Sequence, residues 1–187
     1  MKRVLVSIFA LAIVLSLSHL AASQAGSGSL DNQLLKAASS GDTAAIRQLL
    51  DKGANIEARD KSDDTALMMA AFSGSTDAVE LLLDKGAKME AKNNSGLTAL
   101  IWAASLGGTE VAKLLLDKGA NIEAKEINGY TALMLAAYYG RTDVVKLLLE
   151  KNANIEAKDN DGGTALKAAE RKRNTEIVKL LKEKGAH

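Results

Sequence analysis

The peptide "DKGA" begins at Asp51, Asp84 and Asp117, 33 residues apart each time, and "EKNA" at Glu150 and "EKGA" at Glu183 continue the step. "TAL" keeps the same interval from Thr65 through Thr98 and Thr131 to Thr164. Self-similarity at a fixed period constrains a fold more tightly than composition does. A unit this short cannot bury its own apolar face, so neighbouring units must stack. The pattern predicts an array of about five units, at residues 30–59, 60–92, 93–125, 126–158 and 159–187.

The fourth unit shows how each copy folds. Thr131 is placed to cap a helix running through "ALMLAAYY" and stopping at Gly140. A second helix follows in "TDVVKLLLEK", with Thr142 as its capping oxygen and Asp143 as favourable charge at its start. It ends at Asn152, in the slot that holds Gly53, Gly86, Gly119 and Gly185 elsewhere. Asparagine is the usual substitute for glycine in a left-handed C-cap. "ANIEAKDNDGG" then runs out as an extended polar segment ending in a turn. The chain has no proline, and helix-favouring residues dominate it. Each unit therefore reads as helix, turn, helix, extended loop, which makes the fold all-α.

These residues resemble the ankyrin repeat family. The likeness rests on "DDTALMMAAFSGSTDAVELLLDKGAKMEAK" (Asp63–Lys92), "SGLTALIWAASLGGTEVAKLLLDKGANIEAK" (Ser95–Lys125) and "NGYTALMLAAYYGRTDVVKLLLEKNANIEAK" (Asn128–Lys158), flanked by partial units at Leu30–Arg59 and Asp161–Ala186. It implies a solenoid of helix-turn-helix units with projecting hairpin-like loops. The family's Thr-Pro-Leu-His start is here Thr-Ala-Leu-Met, Thr-Ala-Leu-Ile or Thr-Ala-Leu-Lys. Loss of the histidine predicts looser polar bonding between units and no change of fold. End units of a solenoid show water a polar face. Arg47 and Gln48 do so in the first unit, and Lys167, Glu170, Arg171, Lys172 and Arg173 in the last, so a whole array is expected.

The N-terminus reads as a targeting signal. Lys2 and Arg3 precede the apolar part Val4–Leu17, 14 residues long, and small residues around Ser23-Gln24-Ala25 suit cleavage before Gly26. Fourteen residues fall short of the roughly 20 that span a bilayer. Residues 26–33 read as a flexible polar lead to a repeat domain over 34–187. Without residues 1–25 the chain keeps 22 basic against 23 acidic residues, a net charge of −1. That lacks the basic excess of a nucleic-acid or anionic-membrane binder. Export without a single cysteine leaves stability to packing alone. The expected compartment is the periplasm or the exterior, and the expected state a monomer with no membrane contact after cleavage.

No catalytic or metal-binding constellation emerges. Beyond the signal the chain keeps one histidine, the terminal His187, and no cysteine, which excludes ordinary zinc spacing. Asp63-Asp64 reads as a solvated turn, the glycines recur every 33 residues rather than clustering before a helix, and "NIEAK" repeats one loop carboxylate per unit. The reading is a non-enzyme with no cofactor.

Recognition belongs in the slots that vary from unit to unit. By the resemblance, ankyrin proteins bind partners through loop tips and the inner helix face. Those slots hold Arg59, Lys61 and Phe72 in the second unit, Lys92, Leu97, Ser105 and Leu106 in the third, and Lys125, Ile127, Tyr130, Tyr138 and Tyr139 in the fourth. Aromatics are 3% of the chain, and Phe72, Tyr130, Tyr138 and Tyr139 all fall in variable slots. Trp102 takes the place of Met69 and Leu135 and reads as core filler. Tyr130, Tyr138, Tyr139, Ile127, Leu97, Leu106 and Phe72 would form one patch, and aromatic enrichment amid polar surroundings is the composition of a hot spot. The expected function is binding of a protein partner. The resemblance also extends to exported bacterial proteins that look like accessory factors for enzymes of their compartment. The alternative is a secreted, host-directed effector or adhesin using the same surface.

Overall fold

Thr65, Thr98, Thr131 and Thr164 hold extended backbone, and each hydroxyl accepts at 3.4 Å from the N–H three residues on, at Met68, Ile101, Met134 and Lys167. Each threonine opens the first helix of a unit. The computed structural model describes residues 30–187, and the signal and cleavage site expected in residues 1–25 lie outside them. Along the described residues, α1 covers 30–40 and α2 Thr43–Asp51, followed by α3 Ala66–Ser73 and α4 Thr76–Asp84. Then come α5 Ala99–Leu106, α6 Thr109–Asp117, α7 Ala132–Tyr138, α8 Thr142–Glu150, α9 Ala165–Lys172 and α10 Thr175–Glu183. One isolated bridge, Arg59 with Thr65, is the extent of extended pairing among the described residues. None of the described helices is long and apolar enough to cross a membrane.

The odd-numbered helices stack in one layer, α3 on α5 on α7 on α9, and the even-numbered helices in a second layer behind them. Alanine lets the layers close: Ala70 and Ala71, Ala103 and Ala104, Ala136 and Ala137 are all buried between stacked units. One continuous core runs the length of the array. It begins in α1, where Leu34 and Ala38 are fully buried. Leu30–Gln33 belong to this helix, which corrects the flexible lead expected there. Leu30 lies one turn before Leu34 and packs against the core, so the apolar stripe starts earlier than the polar residues around it suggest.

Asp42 and Ser75 cap α2 and α4 with their side chains, but α8 departs from expectation at its start. The residue capping α8 is Arg141, with Thr142 already helical, and Arg141, Gly108 and Asn174 make no side-chain capping bond. Arg141 Nε instead donates to Ser105 O at 3.0 Å, and Asn174 Nδ2 donates to Ala137 O at 2.7 Å and Tyr138 O at 3.1 Å. Carbonyls in a helix's last turn lack a partner within that helix, and here the following unit supplies one. At the helix ends, Asn152 adopts φ 62°, the left-handed geometry that its glycine counterparts share.

Polar bonding between units is plentiful, against the looser bonding predicted from the missing histidine. Glu57 of "EAR" and Glu90, Glu123 and Glu156 of the recurring "EAK" each accept from a backbone N–H of the next unit, at Lys88, Asn121, Asn154 and His187. Lys118 Nζ lies 2.9 Å from Asp84 Oδ1, and Lys151 Nζ 2.5 Å from Asp117 Oδ1. Loop tips join through Asn94 N–H to Ser62 O, Ile127 N–H to Ser95 O and Asn160 N–H to Asn128 O. The ties sit on the loops, the outer helices and the starts of α8 and α10, where Arg141 and Asn174 reach back, rather than at the threonine starts of the first helices.

Candidate partner groove

The first helices turn one face to the core and leave the other open, and on the open face α5 and α7 enclose a groove of about 530 Å³. Leu97, Trp102, Leu106 and Leu135 form its apolar part together with Tyr130, Tyr138 and Tyr139. Ser95, Ser105, Glu126, Asn128, Arg141 and Arg171 supply its polar edge. Tyr138 ends α7 and Tyr139 caps it, and their rings meet edge to face, with centroids 5.0 Å apart. Tyr138 is half-buried while Tyr139 is 52% exposed, so the two neighbours divide between wall and rim.

A second hollow of about 210 Å³ lies beside the groove, lined by Asp64, Met68, Met69, Phe72 and Trp102. Trp102 separates the two. Its ring stands edge-on to Phe72 with centroids 5.3 Å apart, and its Nε1 donates to Asp64 Oδ1 at 3.3 Å. Trp102 is therefore not core filler, as its slot suggested, but a half-buried wall shared by both hollows. Met69 and Leu135 occupy equivalent, half-buried places. With Glu126 and Arg141, Trp102 and Leu135 are the groove residues that sequence reasoning missed. A large apolar residue recurring at this slot atop an alanine row was the available signal.

The other expected site residues divide sharply. Leu97, Leu106, Tyr130, Tyr138 and Tyr139 line the same groove, and Phe72 lies across Trp102 from them. Ile127 is 63% exposed but sits at a loop tip outside the groove lining. The loop cations are mostly committed within the array. Arg59 Nη1 reaches Asp63 Oδ2 at 2.6 Å and Lys92 O at 2.9 Å, while Lys92 Nζ donates to Lys125 O and Lys125 Nζ to Lys158 O, both at 2.8 Å. They tie unit to unit along a ladder rather than offering free charge to a partner. Lys61 is exposed on its loop and lines neither hollow.

Charge around the groove is uneven. The Glu126 carboxylate accepts from Asn128 N–H, Asn128 Nδ2 and Tyr130 N–H, so it is held inside its own turn. Asp64 Oδ1 also accepts from Asn93 Nδ2 at 2.7 Å. Asp63 faces away to Arg59, so the acidic pair serves two separate structural bonds. On α9, by contrast, Lys167, Arg171 and Lys172 are exposed and pair with no carboxylate among the described residues. The described residues hold no group of three or more His, Cys, Asp or Glu placed to bind a metal.

A stack of 33-residue helix pairs with one open aromatic groove defines a repeat-built binding scaffold. A family model for ankyrin repeats (3 copies) matches residues 34–126 and again 123–187, and the chain belongs to the ankyrin repeat family. No curated protein matches the chain. Ankyrin repeats are general protein–protein interaction modules and are typically non-catalytic.

Proposed function

We propose that this protein is an exported, non-catalytic binding array that holds a protein partner in the groove between α5 and α7. The observation that carries the proposal is the groove itself. Three tyrosines and a tryptophan, drawn from a chain poor in aromatics, line one hollow, and its Tyr139 rim is open to solvent. Amphipathic aromatic rings beside polar neighbours match the composition of binding hot spots. Asp63, Asp64 and Glu126 are each bound to structural donors, which gives no support to acid–base chemistry in the groove.

Export rests on the basic start at Lys2 and Arg3, the apolar stretch after it and the small residues before Gly26. In the periplasm or outside the cell, such a scaffold would act as an accessory factor to an exported enzyme or other protein. Mass measurement of the mature N-terminus tests cleavage, and fractionation separates a periplasmic destination from release as a secreted effector.

The binding proposal is tested with the mature array as bait in native extract of the producing cells. Tyr139→Glu and the triple change Tyr130→Ala, Tyr138→Ala, Tyr139→Ala are run beside it, with circular dichroism confirming helix content. Loss of the same partner from both variants is expected. Retention of that partner by a folded triple variant would sink the proposal.

A further inference from the structure

Through the third and fourth units the groove's aromatic and aliphatic wall is edged by one charge of each sign, Glu126 and Arg141, and where it meets the fifth unit it is cationic. Arg171 forms part of its lining, and Lys172 holds its ammonium over Tyr138, 4.4 Å from the ring centroid. Lys167 is exposed one turn earlier on α9, and Arg173 follows directly after it. The acids nearby do not neutralise this end. Asp159 accepts from the Asp161 and Gly163 amides, and Glu170 pairs with Lys182 at 3.1 Å. Asp161 stands exposed at the loop tip, which leaves the cations in excess.

Arg173, exposed just past the end of α9, adds a further positive charge at this end. Its φ of 58° is left-handed, in the slot where Gly74, Gly107 and Gly140 sit in earlier units. A side chain in this conformation is strained, as at Asn152.

Resting on the binding role above, we propose that the partner docks as a short extended acidic segment. An apolar or aromatic side chain of that segment fills the groove between α5 and α7, and its carboxylates reach Arg171, Lys172 and Arg173. The opposite end runs past Trp102 toward Phe72. Stacked helices lie about 8–10 Å apart, so the path from α3 to α9 is roughly 24–30 Å. An extended chain at about 3.3 Å per residue covers it with roughly seven to nine residues. Nucleic acid fits the surface less well, because the excess of positive charge is confined to one end rather than following the groove.

The test uses fluorescein-labelled nine-residue peptides carrying two leucines and a phenylalanine at one end. Three glutamates fill the other end of the first probe, and three lysines that of the second. Both orders of the blocks are made, and a dT20 strand is the third probe. Fluorescence anisotropy follows binding to the full array, to Arg171→Glu/Lys172→Glu, and to Tyr139→Glu. The glutamate probe should bind in at least one order, weaken about tenfold on the double charge reversal, and weaken as salt rises from 0.1 to 1 M, where the screening length falls from about 10 to 3 Å. The lysine probe should bind the charge-reversed array better than the original. Equal binding of both peptides, no loss on charge reversal, or tighter binding of dT20 would overturn the proposal, as would protection of the groove by self-association in sedimentation. Native capture separates the two readings. A partner lost from the tyrosine variants but retained by Arg171→Glu/Lys172→Glu removes the acidic segment and leaves the binding role standing. A partner retained by both removes the binding role itself.

Discussion

Lys172 carries its ammonium 4.4 Å from the centre of the Tyr138 ring, so the fifth unit lays a cation against the aromatic pair of the fourth. The contact joins α9 to α7 at the mouth of the groove, over the half-buried Tyr138 ring.

An exposed cation–π contact contributes about 0.5–1 kcal/mol. Lys172→Met should therefore lower the stability of the array by no more than that. A double-mutant cycle with Tyr138→Leu, followed by urea unfolding, isolates the pair. A coupling energy indistinguishable from zero would show that the ring is held by packing alone.

Arg173 offers a prediction of opposite sign. Left-handed backbone costs a non-glycine residue about 1–2 kcal/mol, so Arg173→Gly should stabilise the array by about 1 kcal/mol. Gly140→Ala at the equivalent site should destabilise by about 1–2 kcal/mol, because φ is 72° and the new Cβ would lie 3.2 Å from Asn174 Oδ1. Urea midpoints read both. If the acidic-segment proposal holds, the more stable Arg173→Gly variant is also the weaker binder of the glutamate probe.

What could be read from the sequence was what local chemistry decides. Thr131 as a cap and Asn152 as a left-handed C-cap each depend on a few neighbouring residues, and both are found as read. Trp102 was misread because "ALIWAASL" is apolar around its whole circumference, so periodicity chooses no inward face. Lys92 and Lys125 were misread for another reason. Their acceptors lie 33 residues away in the next unit, and a cation's exposure on a loop says nothing about a carbonyl waiting there. The tyrosine slots were legible because variation among copies of one scaffold separates what stacks from what is free to differ.

The glutamate of each "EAK" couples one unit to the next, so its removal should loosen an interface rather than a helix. Glu123→Ala leaves the Asn154 N–H to water and should cost about 0.5–1.5 kcal/mol. Glu123→Gln keeps an acceptor and should cost less. Interior coupling holds a repeat array to one cooperative transition, so Glu123→Ala should also broaden the urea transition more than Glu156→Ala, whose acceptor serves only the terminal His187 N–H. Equal broadening by both variants would count against this role for the interior bond.

The Asp–Lys ladder gives the array a small pH dependence at each end of the scale. The hydrogen bond from Lys151, at 2.5 Å, holds the Asp117 carboxyl below its ordinary value of 3.8. A lowered acid pKa stabilises the fold fully above the ordinary value, and the contribution is lost as pH falls through the folded value. Lys118 runs the other way: the hydrogen bond from its ammonium to Asp84 raises it above 10.5, so its contribution is full below that pH and lost as pH rises through the folded value. Between about pH 5 and 9 both pairs contribute at a constant level. Both are exposed, so the effects should be small and screened by salt. Urea unfolding of Lys151→Met should show a deficit that stays level across that range and closes below about pH 4, whereas Lys118→Met should close its deficit only in strong alkali. Carbon-detected NMR titration of Asp117 provides the direct check, since its pKa should return toward 3.8 in Lys151→Met. An unmoved titration would mean that the carboxylate owes its shift to something other than Lys151.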